Sequence, residues 1–197
     1  MHHARSLVAG ILLVAAGSAL AAPMSRMERQ RLVAHLEMTE SWLASEVSGL
    51  SSAQLHFRPA PGSWSVLEVV EHLVVCEPIY WKNLHDALQA PPSGAGKSSS
   101  DDSVLWYGID RTGRQKAIAG EEARGQLRDV ATGMAAFHKL RAQMLEYAKT
   151  TQDDLRSHVV ERERSDAYQW LLLISTHSQR HILQIREVKA DPKYPKR

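Results

Sequence analysis

From Ser25 onward, apolar residues recur every three or four positions in four long stretches, and no stretch alternates apolar with polar residues. That pattern commits the chain to helices packed face to face. The first stretch, Ser25 to Ser48, opens on the capping-box pair Ser25 and Glu28. It places Leu32, Leu36, Thr39, Leu43, Val47 and Leu50 on one stripe. Pro59, Pro61 and Gly62 then make a stiff connector that no helix crosses. The second helix opens on another capping box, Ser65 and Glu68, and its stripe is Val69, His72 or Leu73, Cys76, Tyr80 and Leu84. Pro78 lies inside it. A proline lacks the N–H and crowds the carbonyl four residues back, here that of Val74, which predicts a kink or local break.

Residues 91–103, PPSGAGKSSSDDS, form a low-complexity loop. The following segment, 104–120, carries Leu105, Trp106, Tyr107 and Ile109 and predicts a partly ordered crossover. A third helix is expected from about Glu121 to Lys149, with Leu127, Val130, Met134, Phe137, Met144 and Tyr147 facing inward. The fourth opens at Ser165-Asp166, an N-cap followed by an acidic first turn. It carries Trp170, Ile174, His177, His181, Gln184, Ile185 and Val188 and stops before Pro192. Four amphipathic helices without a strand signal predict an all-α four-helix bundle over residues 25–190, with 91–120 as loop and crossover and 191–197 as a tail.

Residues 1–22 have a different composition. Arg5 precedes an apolar run from Leu7 to Ala16, and Ala19-Leu20-Ala21 fits the small-x-small cleavage rule. The expectation is a signal peptide over 1–21, a mature chain starting at Ala22, and a periplasmic or secreted protein. An uncleaved anchor is the competing reading, but the run is shorter than the ~20 residues a spanning helix needs, so no stable membrane insertion is expected. The single Cys excludes a disulfide framework and any CxxC metal or redox motif. A formal charge of +2 gives no broad basic field, so no nucleic-acid partner is expected.

Ten His carry the functional signal. His177 and His181 are four apart, so both leave the same face of their helix, and that face is the apolar one. Imidazoles in an apolar stripe cost desolvation unless their nitrogens are satisfied. A divalent metal satisfies them, and H-x3-H on a helix is a common two-ligand spacing. His72 offers a third nitrogen from the inward face of the second helix. Three neutral ligands would leave a metal its charge and open positions, the catalytic rather than the structural type of site. Chance pairs are frequent with so many His, and an exposed pair is inert, so spacing alone leaves both readings open. His35, His56, His85, His138 and His158 have no partner at helical spacing and are read as surface or interface residues. Cys76, one turn beyond His72, is read as a small core residue. Gln184 shares the face of His177 and His181, either to hold a ring N–H or water at the site or simply as a polar residue near the bundle end.

Two segments resemble the DinB/YfiT-like superfamily. Arg58-Pro59-Ala60-Pro61-Gly62-Ser63-Trp64-Ser65, followed by Glu68 and Glu71-His72-Leu73, is similar to its first motif. His177-Ser178-Gln179-Arg180-His181-Ile182, with Gln184-Ile185, is similar to the motif on its last helix. Asp154-Leu155-Arg156 and Asp166-Ala167-Tyr168-Gln169-Trp170 look like its linking segments, so the resemblance spans residues 25–190. It implies an up-down-down-up bundle, often a homodimer. It also implies a divalent metal, nickel, zinc or iron, on three His that fall on His72, His177 and His181. Some members of that family are thiol-dependent transferases or isomerases, and others look like hydrolases. This chain departs at Pro78, just past the first implied ligand, and in its export signal, since low-molecular-weight thiols are scarce outside the cytoplasm.

Three functions follow as expectations. The first is a metal-dependent hydrolase or transferase acting on a small molecule, with no general base that the sequence singles out. The second is a non-catalytic periplasmic metal-binding or interaction protein. The third is a metal-free bundle that keeps its His as polar core residues.

Overall fold

Side-chain caps decide where the long helices begin. In a computed structural model, which describes residues 22–93, 100–113 and 116–196, Ser25 and Glu28 close a reciprocal capping box that starts α1 (Arg26–Val47). Ser65 and Glu68 do the same for α3 (Val66–Gln89). Between them lies α2 (Ser52–His56), a single turn with its own Ser51–Gln54 box. The signal-peptide reading of 1–21 and part of the low-complexity loop, 94–99, lie outside the described residues. Among the described residues, no helix is long and apolar enough to cross a membrane.

Four expectations need correction. Helix α3 runs unbroken across Pro78, because flanking turns and buried Cys76, Tyr80 and Leu84 hold it in place. The crossover contains a helix, α4 (Asp101–Ile109), capped by Ser100. The third long helix, α5 (Val130–Thr150), starts nine residues later than Glu121, at the Asp129 cap. A strand pair of two residues each, β1 (Val159–Val160) and β2 (Ser165–Asp166), precedes α6 (Ala167–Lys189). Ser165 is therefore spent in the strand, and Asp166 is the N-cap, accepting the N–H of Gln169 at 2.8 Å.

Contacts set the directions of the long helices. Arg29 near the start of α1 donates to the carbonyls of Ala148 (2.6 Å) and Thr151 (2.8 Å) at the end of α5, so α1 and α5 are antiparallel. Tyr168 reaches the carbonyl of Glu28 while Arg186 meets Glu46, so α1 and α6 are parallel. Trp170 donates to the Tyr80 carbonyl at 2.8 Å while His72 meets His177, so α3 and α6 are antiparallel. The order is up-down-down-up, with α1 and α3 each packed between α5 and α6.

Two devices attach α4 to this frame. Gly108 lets its backbone approach α6: a Cβ there would lie 2.8 Å from Gln179 Oε1 and 3.0 Å from the Thr176 side chain. Arg156, stacked on the Tyr168 ring, binds Glu28, Asp101 and Asp166, acidic residues at the starts of α1, α4 and α6. The core around them is filled by Leu32, Leu36, Leu73, Leu84, Met144 and Trp170, all fully buried.

Candidate metal centre

Helix geometry brings the three histidines together. His177 and His181 project from successive turns of α6, and His72 meets them from the antiparallel α3. The Nε2 atom of His177 lies 3.2 Å from that of His72 and 3.1 Å from that of His181. His72 and His177 are buried, while His181 is partly covered. The Trp64 ring, from the connector before α3, lies against both His72 and His181.

Partners on the far side of each ring assign its tautomer. His72 Nδ1 is 2.6 Å from the carbonyl oxygen of Glu121, so it must carry the N–H. His181 Nδ1 is 2.9 Å from Gln184 Oε1, which fixes the same tautomer once the amide oxygen is the acceptor. Both Nε2 atoms then present lone pairs toward the centre. His177 has one N–H to offer and can satisfy only one of them, and its own Nδ1 is buried with no hydrogen-bond partner. Three converging acceptors with too few protons are a poor hydrogen-bond network and a good donor set for a cation. Donors on a tetrahedral ion at about 2.0–2.1 Å stand roughly 3.3 Å apart, close to the spacing seen. Burial holds the pKa of His72 below the ordinary imidazole value. It holds His177 and His181 well below that value, and the neighbouring imidazoles add their repulsion. The rings are therefore neutral near pH 7, the form in which imidazole binds metals.

A cavity of about 700 Å3 opens from these rings. One wall is α4, and another is the segment from Lys116 to Glu122. Arg180, on α6 beside His181, donates to the main-chain carbonyls of Tyr107 (3.2 Å), Asp110 and Gly113 (2.5 Å). Arg111 pairs bidentately with Glu187 at 2.9 Å. Arg162 grips the carboxylate of Glu121 and covers the Tyr80 ring, whose hydroxyl donates to the same carboxylate at 3.1 Å. Glu121 thus serves twice, through its carbonyl on His72 and its carboxylate on Tyr80 and Arg162.

Glu71 explains why residues 121–129 are not helical. Its buried carboxylate accepts the backbone N–H groups of Arg124 (3.0 Å), Gly125 (2.9 Å) and Gln126 (2.9 Å). Gly125 takes a positive φ of 69° to wrap around it. Glu71 therefore holds the strap that carries the Glu121 carbonyl over His72. Glu71→Ala should leave three N–H groups without an acceptor and cost about 1–3 kcal/mol. Limited trypsin digestion should then cut at Arg124 at least about tenfold faster than in wild type. An unchanged rate at Arg124 would mean that the strap is held elsewhere.

The sequence-derived site residues fall into two groups. His72, His177, His181 and Gln184 assemble at one point, with Gln184 on a ring nitrogen. Cys76 stays in the core, its Sγ 3.3 Å from His72 Nδ1 on the side away from the cluster, and burial raises its pKa. His35, read as a surface or interface residue, is partly buried and bridges α1 to α6 through Ser175 (2.7 Å) and Gln179 (3.1 Å). Sequence reasoning missed Glu71, Glu121 and Arg162. Glu71 sits beside His72 in the first motif, but Glu121 and Arg162 carried no local signal.

The fold and the histidine cluster define a four-helix bundle with a potential tri-histidine metal site at the α3–α6 seam. Residues 31–185 match the family model of the DinB superfamily, and the chain belongs to that superfamily. Among curated sequences it is similar to the uncharacterized protein YuaE of Bacillus subtilis (strain 168), 26% identical over 160 residues that cover 76% of this chain and 91% of YuaE. Among solved structures it is similar to YfiT from Bacillus subtilis, described as a probable metal-dependent hydrolase with an unusual four-helix bundle topology. That likeness has a TM-score of 0.58 at 17% identity and covers 84% of this chain and 88% of YfiT.

Proposed function

We propose that this chain binds a divalent metal through His72, His177 and His181 and acts as a metal-dependent hydrolase or transferase on a small molecule. The observation that carries this reading is the convergence of three Nε2 atoms whose protons are committed on the opposite side of two of the rings. Imidazole donors suit zinc, nickel or iron. When bound, the metal supplies a Lewis acid that polarises a substrate oxygen or acidifies a water. The chain's own residues do the rest. The Glu121 carbonyl and Gln184 hold His72 and His181 in one tautomer and one orientation. Trp64, Tyr80 and Trp170 give the cavity an aromatic lining beside the cluster, Arg162 and Glu121 add charged groups, and the open cavity admits a substrate. The description of YfiT as a probable metal-dependent hydrolase favours this assignment.

Titration of metal-free protein with zinc in a calorimeter tests it. Wild type should bind one ion. His181→Ala should weaken binding by at least about 100-fold, because even supporting partners of ligands are worth 10–100-fold. Gln184→Ala should keep the metal with roughly tenfold lower affinity. Equal affinity in wild type and His181→Ala would remove the metal from the proposal.

We also propose that the chain is exported, on the strength of Arg5, the apolar run Leu7–Ala16 and Ala19-Leu20-Ala21. Intact-mass measurement on periplasmic or secreted material should give a chain beginning at Ala22. A full-length mass recovered from membranes would replace export by anchoring.

A further inference from the structure

Neither helix nor strand holds the main chain at Glu121. A turn closed by the Glu121 N–H on the Ile118 carbonyl (2.9 Å) leads into it, with Gly120 at a φ of 94° as that turn requires. Glu71 holds the strap from Arg124 onward. Between those points the strongest tie to the rest of the molecule is the Glu121 carboxylate, which takes Arg162 and the Tyr80 hydroxyl. The carbonyl of the same residue accepts the Nδ1–H of His72 at 2.6 Å.

Arg162 is anchored elsewhere. It sits in the turn that joins β1 to β2, where Val160 pairs with Ser165, and β2 runs directly into α6. Its guanidinium lies over the Tyr80 ring, 4.8 Å from the centroid, and spans both carboxylate oxygens of Glu121, with Nη2 at 2.9 Å from Oε2. A bidentate pair of this kind fixes direction as well as distance. The Glu121 side chain is 6% exposed, so its charge depends on these donors in place of water.

We infer that Arg162 is a positioning residue for the metal centre, setting His72 through Glu121. Without Arg162 the enclosed carboxylate would keep one donor, the Tyr80 hydroxyl, and would turn toward water. The strap would move with it and draw its carbonyl off His72 Nδ1. His72 would then carry its proton on either nitrogen, and Nε2 would no longer always present a lone pair to the cluster. The β1–β2 turn thereby governs a ligand through the strap. This inference rests on the metal reading above and adds to it a control outside the two helices that carry the histidines.

Zinc affinity of the full chain is measured by calorimetry. The tautomer of each ring is read separately, by long-range proton–nitrogen correlation NMR on metal-free protein carrying isotope-labelled histidine. Arg162→Met should weaken zinc binding about tenfold, the lower end of the loss expected when a ligand's supporting partner is removed. His72 should change from one tautomer to a mixture, while His181, held by Gln184, keeps its own. Arg162→Lys keeps the charge but not the fork and should fall between. Adding Glu121→Met to Arg162→Met removes the stranded carboxylate but keeps the carbonyl. It should restore the single His72 tautomer and bring zinc affinity to within about threefold of wild type. A general loss of stability would not be mended by a second truncation and would disturb His181 as well. Tyr80→Phe takes one donor from the same carboxylate without touching the turn, and should cost about threefold in zinc affinity with a smaller change at His72. It decides the matter if Arg162→Met fails to fold. A His72 tautomer that stays single in these variants overturns the inference, as does a loss that Glu121→Met does not reverse. Wild type that binds no zinc would overturn the metal reading, and the tautomer readout would still decide whether Arg162 positions His72.

Discussion

Replacing Arg141 with alanine should destabilise the protein by about 3–5 kcal/mol, the cost of breaking a buried ion pair by removing one partner. Arg141 is fully buried and lies over the Phe137 ring inside the bundle. Its Nη2 donates to Glu77 Oε1 at 2.7 Å and to the Ser178 hydroxyl at 2.9 Å, and Ser178 in turn donates to Glu77. Without the guanidinium, the Glu77 carboxylate keeps one hydroxyl in a site that is 1% exposed. The double variant Arg141→Met with Glu77→Leu should recover most of the loss, because it removes both charges and fills the space with apolar atoms. Urea unfolding of the two variants decides the matter. A loss below about 1 kcal/mol in Arg141→Ala would mean that water or a rearranged partner already shares the charge.

This pair shows which parts of the molecule could be read from sequence. Arg141 falls between Phe137 and Met144 on the inward face of α5, a position the apolar stripe passed over because arginine is ordinarily exposed. Its partner, 64 residues away, was not legible either. The histidines were legible because they interrupt apolar stripes at helical spacing, where the cost of burying an imidazole demands an explanation. The caps at Ser25 and Ser65 were legible because they are local. The helices capped by Ser51 and Ser100 were not read, because at five and nine residues they are too short for an apolar period to stand out. Residues 121–129 misled for a different reason. Their pattern is compatible with a helix, and a single carboxylate from α3 captures the N–H groups that a helix would have used. Side-chain capture of that kind is set by tertiary position, and local propensity gives no hint of it.

Acid should unfold the metal-free protein earlier than its carboxylates alone require. Burial depresses the pKa of His72, and burial with mutual repulsion depresses those of His177 and His181 further. His35, partly buried against α6, shifts in the same direction. Each of these groups takes up its proton more readily in the unfolded chain, where imidazole titrates near 6.5. Stability is therefore whole above about pH 6.5 and is lost as pH falls below it, with a slope approaching about 1.4 kcal/mol per pH unit for each histidine. Urea midpoints of metal-free wild type should fall steeply between about pH 7 and pH 5, and His177→Leu should flatten that fall by removing one titration and the repulsion it exerts on its neighbours. Zinc at about 100 times its Kd should add roughly 2.7 kcal/mol near pH 7.5. That gain should shrink toward pH 5, because protons and the metal compete for the same Nε2 lone pairs. Using the difference between wild type and His177→Leu cancels the titrating groups outside the cluster. Parallel pH profiles for the two proteins would show that the cluster is solvated and stays protonatable in the folded chain.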